Sequence, residues 1–109
     1  MLCLASCKQE ANPDATQPLN QSFKAAEPGV KQAIETVTTR LKAGDYVEAA
    51  RTLEPIVSGR PLTDPQKLAV GVAIQQIDHA IAANPSLDTK EMYELRRKMF
   101  EAVHRGPRF

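Results

Sequence analysis

Apolar residues fall into a 3.6-residue rhythm only from about residue 28 onward. Val30, Ala33, Ile34, Val37 and Leu41 recur along one face of a helix. Gly44-Asp45 interrupts that stripe, and Tyr46, Ala49, Ala50, Leu53, Ile56 and Val57 resume it. So short a connection predicts a helical hairpin. Gly59 and Pro61 close the second helix, while Pro55 inside its pattern predicts a kink or an early end near Glu54.

The third helix carries the best start signal in the chain. Thr63 and Gln66 have the spacing of a capping box, in which each side chain bonds the other residue's backbone N–H, and Pro65 falls in the first turn. Leu68 to Ile74 are apolar nearly all round, and Ile77, Ala80 and Ile81 continue one stripe. Such a pattern predicts a central helix touched on several sides. Gly71 lies in its interior, where glycine costs about 1 kcal/mol against alanine; close approach of a neighbouring helix is the expected reason. Ala83-Asn84-Pro85 ends the run. Asp88 with Glu91 predicts the next start. Met92, Leu95, Met99 and Val103 then form a stripe flanked by Tyr93 and Phe100, up to Gly106-Pro107.

The expected fold is therefore all-α: a small bundle of four short antiparallel helices spanning residues 28–109. The segment 8–27 contains Pro13, Pro18 and several Gln and Asn residues. It has little apolar surface to offset the entropy of ordering, which predicts a disordered, flexible tether. Leu19 and Phe23 are the residues in it able to dock. A chain of that length spans about 25 Å root-mean-square.

Composition narrows the function more by exclusion than by direction. The formal net charge is +1, tryptophan is absent, and only 5% of residues are aromatic. Neither a bulk pull toward nucleic acid nor a base-stacking platform is expected. No apolar run approaches the ~18 residues of a membrane-spanning helix. The two cysteines, Cys3 and Cys7, crowd the N-terminus and cannot staple a fold. With His79 and His104 they match no metal-ligand spacing. Phosphate-loop, zinc-protease and nucleophile-elbow motifs are missing. The expectation is a protein without cofactor, metal or catalytic residues, and hence not an enzyme.

Charged residues offer a surface instead. Lys42 and Arg51 lie near the hairpin turn. From Lys90 onward six cations, including Arg96 and Arg97, face three carboxylates. These four residues are the candidate interaction surface. Their alternative role is ordinary helix-surface pairing, as Glu94 with Lys98 four residues on, and His104 in a last turn matches the helix dipole.

Two resemblances add to this reading. Leu4-Ala5-Ser6-Cys7 resembles the lipobox of bacterial lipoproteins. The resemblance implies that Cys7 is the lipidated anchor, that 1–7 is the remnant of a signal peptide, and that the rest faces the cell envelope. Lys8, not Asp, after the cysteine leans toward the periplasmic face of the outer membrane. Only six residues precede Cys7 and none is basic, which leaves a true start upstream of Met1 or a chance match. Ala43-Gly44-Asp45-Tyr46, with Ala49, Leu53 and Pro61, resembles the second half of a tetratricopeptide (TPR) repeat over roughly residues 30–63. Ala33, Thr36, Val37 and Ile56 depart from that family's pattern, and no second Gly-Asp-Tyr-like turn follows. The resemblance implies a TPR-like hairpin and contact with an unspecified protein partner. Together these features point to a non-enzymatic, membrane-anchored interaction or envelope-associated module. The alternative is a soluble cytoplasmic TPR-like adaptor, dimeric through a Met92/Leu95/Met99 face.

Overall fold

The computed structural model describes residues 13–105. The expectations placed on Cys3, Cys7, the rest of 1–12 and Gly106-Pro107 lie outside those residues. Among the described residues the chain is all-helical, with five α-helices and one 3-10 turn: α1 Thr16–Ser22, α2 Pro28–Ala43, α3 Tyr46–Ser58, α4 Asp64–Ala83, the turn Pro85–Leu87, and α5 Lys90–His104.

The helices pair in a closed circuit: α1 on α2, α2 on α3, α3 on α5, α5 on α4, and α4 back on α1. Each amphipathic face thereby finds a neighbour, and the interior fills with Leu19, Phe23, Ile34, Leu53, Ile77, Met92 and Met99, all fully buried. Helix α4 touches α3 only slightly. Its principal partners are α1 and α5, which flank it.

The closing member of the circuit, α1, corrects the expectation of a disordered tether over 8–27 for its described part, from residue 13 on. Among the described residues the helical unit includes α1 from Thr16, rather than beginning at residue 28. Ala15, Leu19 and Phe23 are each 0–1% exposed. Their four-residue spacing puts them on one helix face, a stripe three residues long. Pro18 does no harm because it sits in the first turn, where its missing N–H has no intrahelical acceptor. Polar side chains of α4 secure both ends. The Ala15 N–H donates to Gln76 Oε1 at 2.9 Å, and Gln66 Nε2 donates to the Ser22 carbonyl at 3.2 Å. Helices α1 and α4 therefore run in opposite senses.

Local signals hold elsewhere, with three differences. The capping box forms as the sequence requires: Thr63 N–H to Gln66 Oε1 at 3.0 Å and Gln66 N–H to Thr63 Oγ1 at 3.2 Å. Gly44 ends α2 in the left-handed region at φ 80°, a conformation that costs a side-chain-bearing residue dearly. Pro55, however, does not end α3, which continues to Ser58. Arg51 and Pro55 both lie at the surface, so water can serve the Arg51 carbonyl that an N–H at position 55 would have bonded. The cap of α5 is Thr89, whose Oγ1 accepts from the Met92 N–H at 3.1 Å, not Asp88. And Gly71 meets no neighbouring helix: a Cβ built there finds nothing within 4 Å.

Candidate interaction surfaces

Of the four cations proposed from sequence, three are engaged within the protein. Arg51 on α3 donates from Nε and Nη2 to the two carboxylate oxygens of Glu91 on α5, at 2.7 and 2.8 Å, and from Nη1 to Glu48. This fork matches the planar carboxylate and joins two helices of the circuit. The paired guanidinium lowers the Glu91 pKa below its ordinary range, and the hydrogen bonds Arg51 donates to Glu91 and then to Glu48 raise its own. Arg96 bonds Asp78 on α4 at 2.7 Å and lies 3.7 Å from Asp88, bridging α5 to α4. Arg97 stays on its own helix between Glu94 and Glu101, at 2.7 and 2.8 Å. Glu94 thus takes Arg97 as partner, not Lys98, and its pKa falls accordingly.

Lys42 stands apart from the others. It lines an open cleft with Pro13, Asp14, Tyr46, Gln76 and His79, where the chain enters α1. Asp14 accepts the Thr16 N–H at 3.0 Å, and this bond, more than nearby Lys42, lowers its pKa. Gln76 is already committed to Ala15. The two best-placed polar groups of the cleft therefore serve α1. Lys42 and the Arg96–Arg97 pair lie in separate clefts, so the four cations do not form one surface. Among the described residues, no three His, Cys, Asp or Glu side chains gather as a metal site. No described helix is long and apolar enough to cross a membrane.

A different surface stands out. Leu68 on α4 is 74% exposed, and Tyr93 and Phe100 on α5 are 55% and 53% exposed. They flank the groove between α4 and α5, with Gly71, Val72, Ile74 and Val103 between them. The two helices run in opposite senses, since Leu68 shares the groove with Val103 and Asp78 pairs with Arg96. Without a side chain at Gly71 the groove is wider. The Phe100 ring stacks on His104 with centroids 4.0 Å apart, and His104 Nδ1 lies 3.0 Å from the Phe100 carbonyl, which fixes the rim at that end. Covering a leucine or phenylalanine fully is worth about 1.5–3 kcal/mol; this face leaves much of that unspent. The sequence held one sign of it: α4 is apolar over more of its circumference than its inward stripe Ala69, Val70, Ala73 and Ile77 needs.

The Met92/Leu95/Met99 face expected for a dimeric adaptor is not on the surface. Met92 and Met99 are 0% exposed, and Leu95 packs against the core. The reason is α3, which covers that side of α5. No protein family, curated protein or solved structure matches this chain.

Proposed function

We propose that this protein is a lipid-anchored helical module of the bacterial cell envelope, held by Cys7 and working without catalysis through its outer faces. The observation that carries this reading is the exposed apolar strip Leu68, Tyr93 and Phe100 on an otherwise well-closed helical unit. Exposed apolar side chains gathered along one groove make a candidate contact surface. The internal engagement of Arg51, Arg96 and Arg97 supports a structural rather than chemical role for those cations. The lipobox resemblance of Leu4-Ala5-Ser6-Cys7 supplies the address, with the periplasmic side of the outer membrane favoured by Lys8.

Within this reading α2 and α3 form the TPR-like hairpin. Gly44 takes the left-handed turn, Ala49 and Ala50 are buried, and Leu53 fills the interior. The antiparallel bundle expected of the following helices is supported by the opposite senses of α4 and α5. The soluble-adaptor alternative loses the methionine interface on which its dimer depended.

The anchor is tested by metabolic labelling with a fatty-acid analogue in cells expressing the native, full-length product. Label is expected on the wild type and absent from Cys7→Ala; equal label, or none on either, contradicts it.

A further inference from the structure

The early start of folded chain changes what a Cys7 anchor would do. Between Cys7 and Pro13 there are six Cα–Cα steps, at most about 20–22 Å of chain. A tether lasting to residue 27 would have let the domain stand farther off; this shorter link keeps it within that distance of the anchor.

The link also enters beside the apolar face. Pro13 shares its cleft with His79 and Ala80 on one side of α4. Tyr93 shares its groove with Ile74 and Asp78 on the other side of the same turn. The two points are therefore about one helix diameter apart, roughly 10–12 Å. That separation is well inside the reach of the link.

The chemistry of the face is that of an interfacial surface. Leu68, Tyr93 and Phe100 are the exposed rims of the groove. Tyrosine places an apolar ring and a polar tip at the headgroup level. Among the charged residues lining the groove, Arg96 is paired with Asp78 and Arg97 with Glu94 and Glu101, and Lys67 adds a cation at the Leu68 end. Apolar side chains exposed on one face enter the acyl boundary, and a lysine beside them favours anionic headgroups. We propose that the α4–α5 face bearing Leu68, Tyr93 and Phe100 lies against the surface of the membrane that holds the Cys7 acyl chains. This inference rests on acylation of Cys7. The helices then lie along the bilayer, and α2, on the far side of the circuit, faces the aqueous space.

The absence of tryptophan from the chain provides the test. Full-length lipidated protein carrying Phe100→Trp is placed in phosphatidylethanolamine–phosphatidylglycerol vesicles with brominated acyl chains. A second protein carries Thr39→Trp, at an exposed position of α2, which packs chiefly on α1 and α3. Circular dichroism checks that both keep their helix content. The indole of the Phe100→Trp protein should emit at shorter wavelength and be quenched, and that of the Thr39→Trp protein should not. Leu68→Glu in the Phe100→Trp protein without its acyl groups should lower vesicle partitioning roughly tenfold or more, the loss of one buried leucine.

Fatty-acid label on Cys7 with an unquenched indole in the Phe100→Trp protein overturns the face and leaves the anchor standing. No Cys7-dependent label overturns the anchor and the short-link argument with it, whatever that indole does. Equal quenching of the Thr39→Trp protein overturns the orientation. A spectral change that depends on protein concentration and needs no vesicle assigns the face to a second copy of this chain, and overturns the proposal.

Discussion

Helix α4 has two apolar flanks that fare differently. On the α1 side, Ala69, Ala73 and Ile77 are sealed under Ala15, Leu19 and Phe23, and two glutamines of α4 bond the backbone of α1 at both ends. On the α5 side, the outer edge of the seam stays open at Leu68, Gly71 and Val72; Leu68 and Val72 also border a shallow groove against Pro18 and Gln21 of α1. The flanks are similar in composition, so hydrophobicity does not separate them. What differs is whether a further segment of the chain is at hand to cover the flank. A seven-residue helix with three inward side chains is enough to close one; nothing among the described residues closes the other.

The sharpest way to break this contrast is in the closed flank. Phe23→Ala removes a ring that is 1% exposed and should cost about 3–5 kcal/mol, a large share of the stability of so small a domain. The urea midpoint measures it. A change under about 0.5 kcal/mol, the usual size at the surface, would mean that α1 is not part of the folded unit.

The open flank predicts a gain instead. Gly71→Ala adds a methyl that meets nothing within 4 Å and removes a helix-interior glycine. Stability should rise by about 0.5–1 kcal/mol. A loss would show that a neighbour comes close to Gly71 after all.

A smaller effect comes from the rim of the α3–α5 seam, where an ion pair lies beside the buried methionines. Glu91 titrates below its ordinary value because Arg51 bonds it, whereas in the unfolded chain it titrates near the usual value of about 4.3. A depressed native pKa stabilises the fold above the unfolded value, and that support is lost as pH falls through the native one. Both partners are about half exposed, so solvent screens the pair and the effect is modest. Unfolding midpoints between about pH 6 and pH 3 should fall more steeply for the wild type than for Glu91→Gln; parallel curves would remove the pair from the account. The smallest change is expected at Leu68→Glu, within about 0.5 kcal/mol, because the side chain is already in water.

The same contrast explains what was legible in the sequence. Helices α2 to α5 announce themselves because each carries four or more apolar residues at helical spacing, with Gly44, the Thr63–Gln66 box or Asn84-Pro85 as punctuation. Helix α1 does not, since its stripe has only three members and is diluted by Pro18 and by glutamines. A four-residue spacing from Ala15 through Leu19 to Phe23 was the available signal. Its meaning depended on the bare flanks of α2 and α4, which no local window contains. The exposed face was hidden for the converse reason: an all-round apolar helix reads as central, and only the packed circuit shows which side lacks a cover. Likewise, cross-helix partners such as Glu91 for Arg51 and Asp78 for Arg96 are forty and eighteen residues away in sequence. Spacing rules for a single helix cannot find them.

The membrane-facing orientation proposed for the α4–α5 face depends on folding beginning near the start of α1, and native-state amide hydrogen exchange on the full-length protein measures that directly. The Leu19 and Phe23 amides bond the Ala15 and Leu19 carbonyls at 2.9 and 3.1 Å. They should therefore exchange at rates comparable to the buried amides of α4 and slow together with them on stabilisation. Exchange of those two amides at the speed of an unstructured peptide, beside a protected α4, would contradict the closed circuit and restore a long tether.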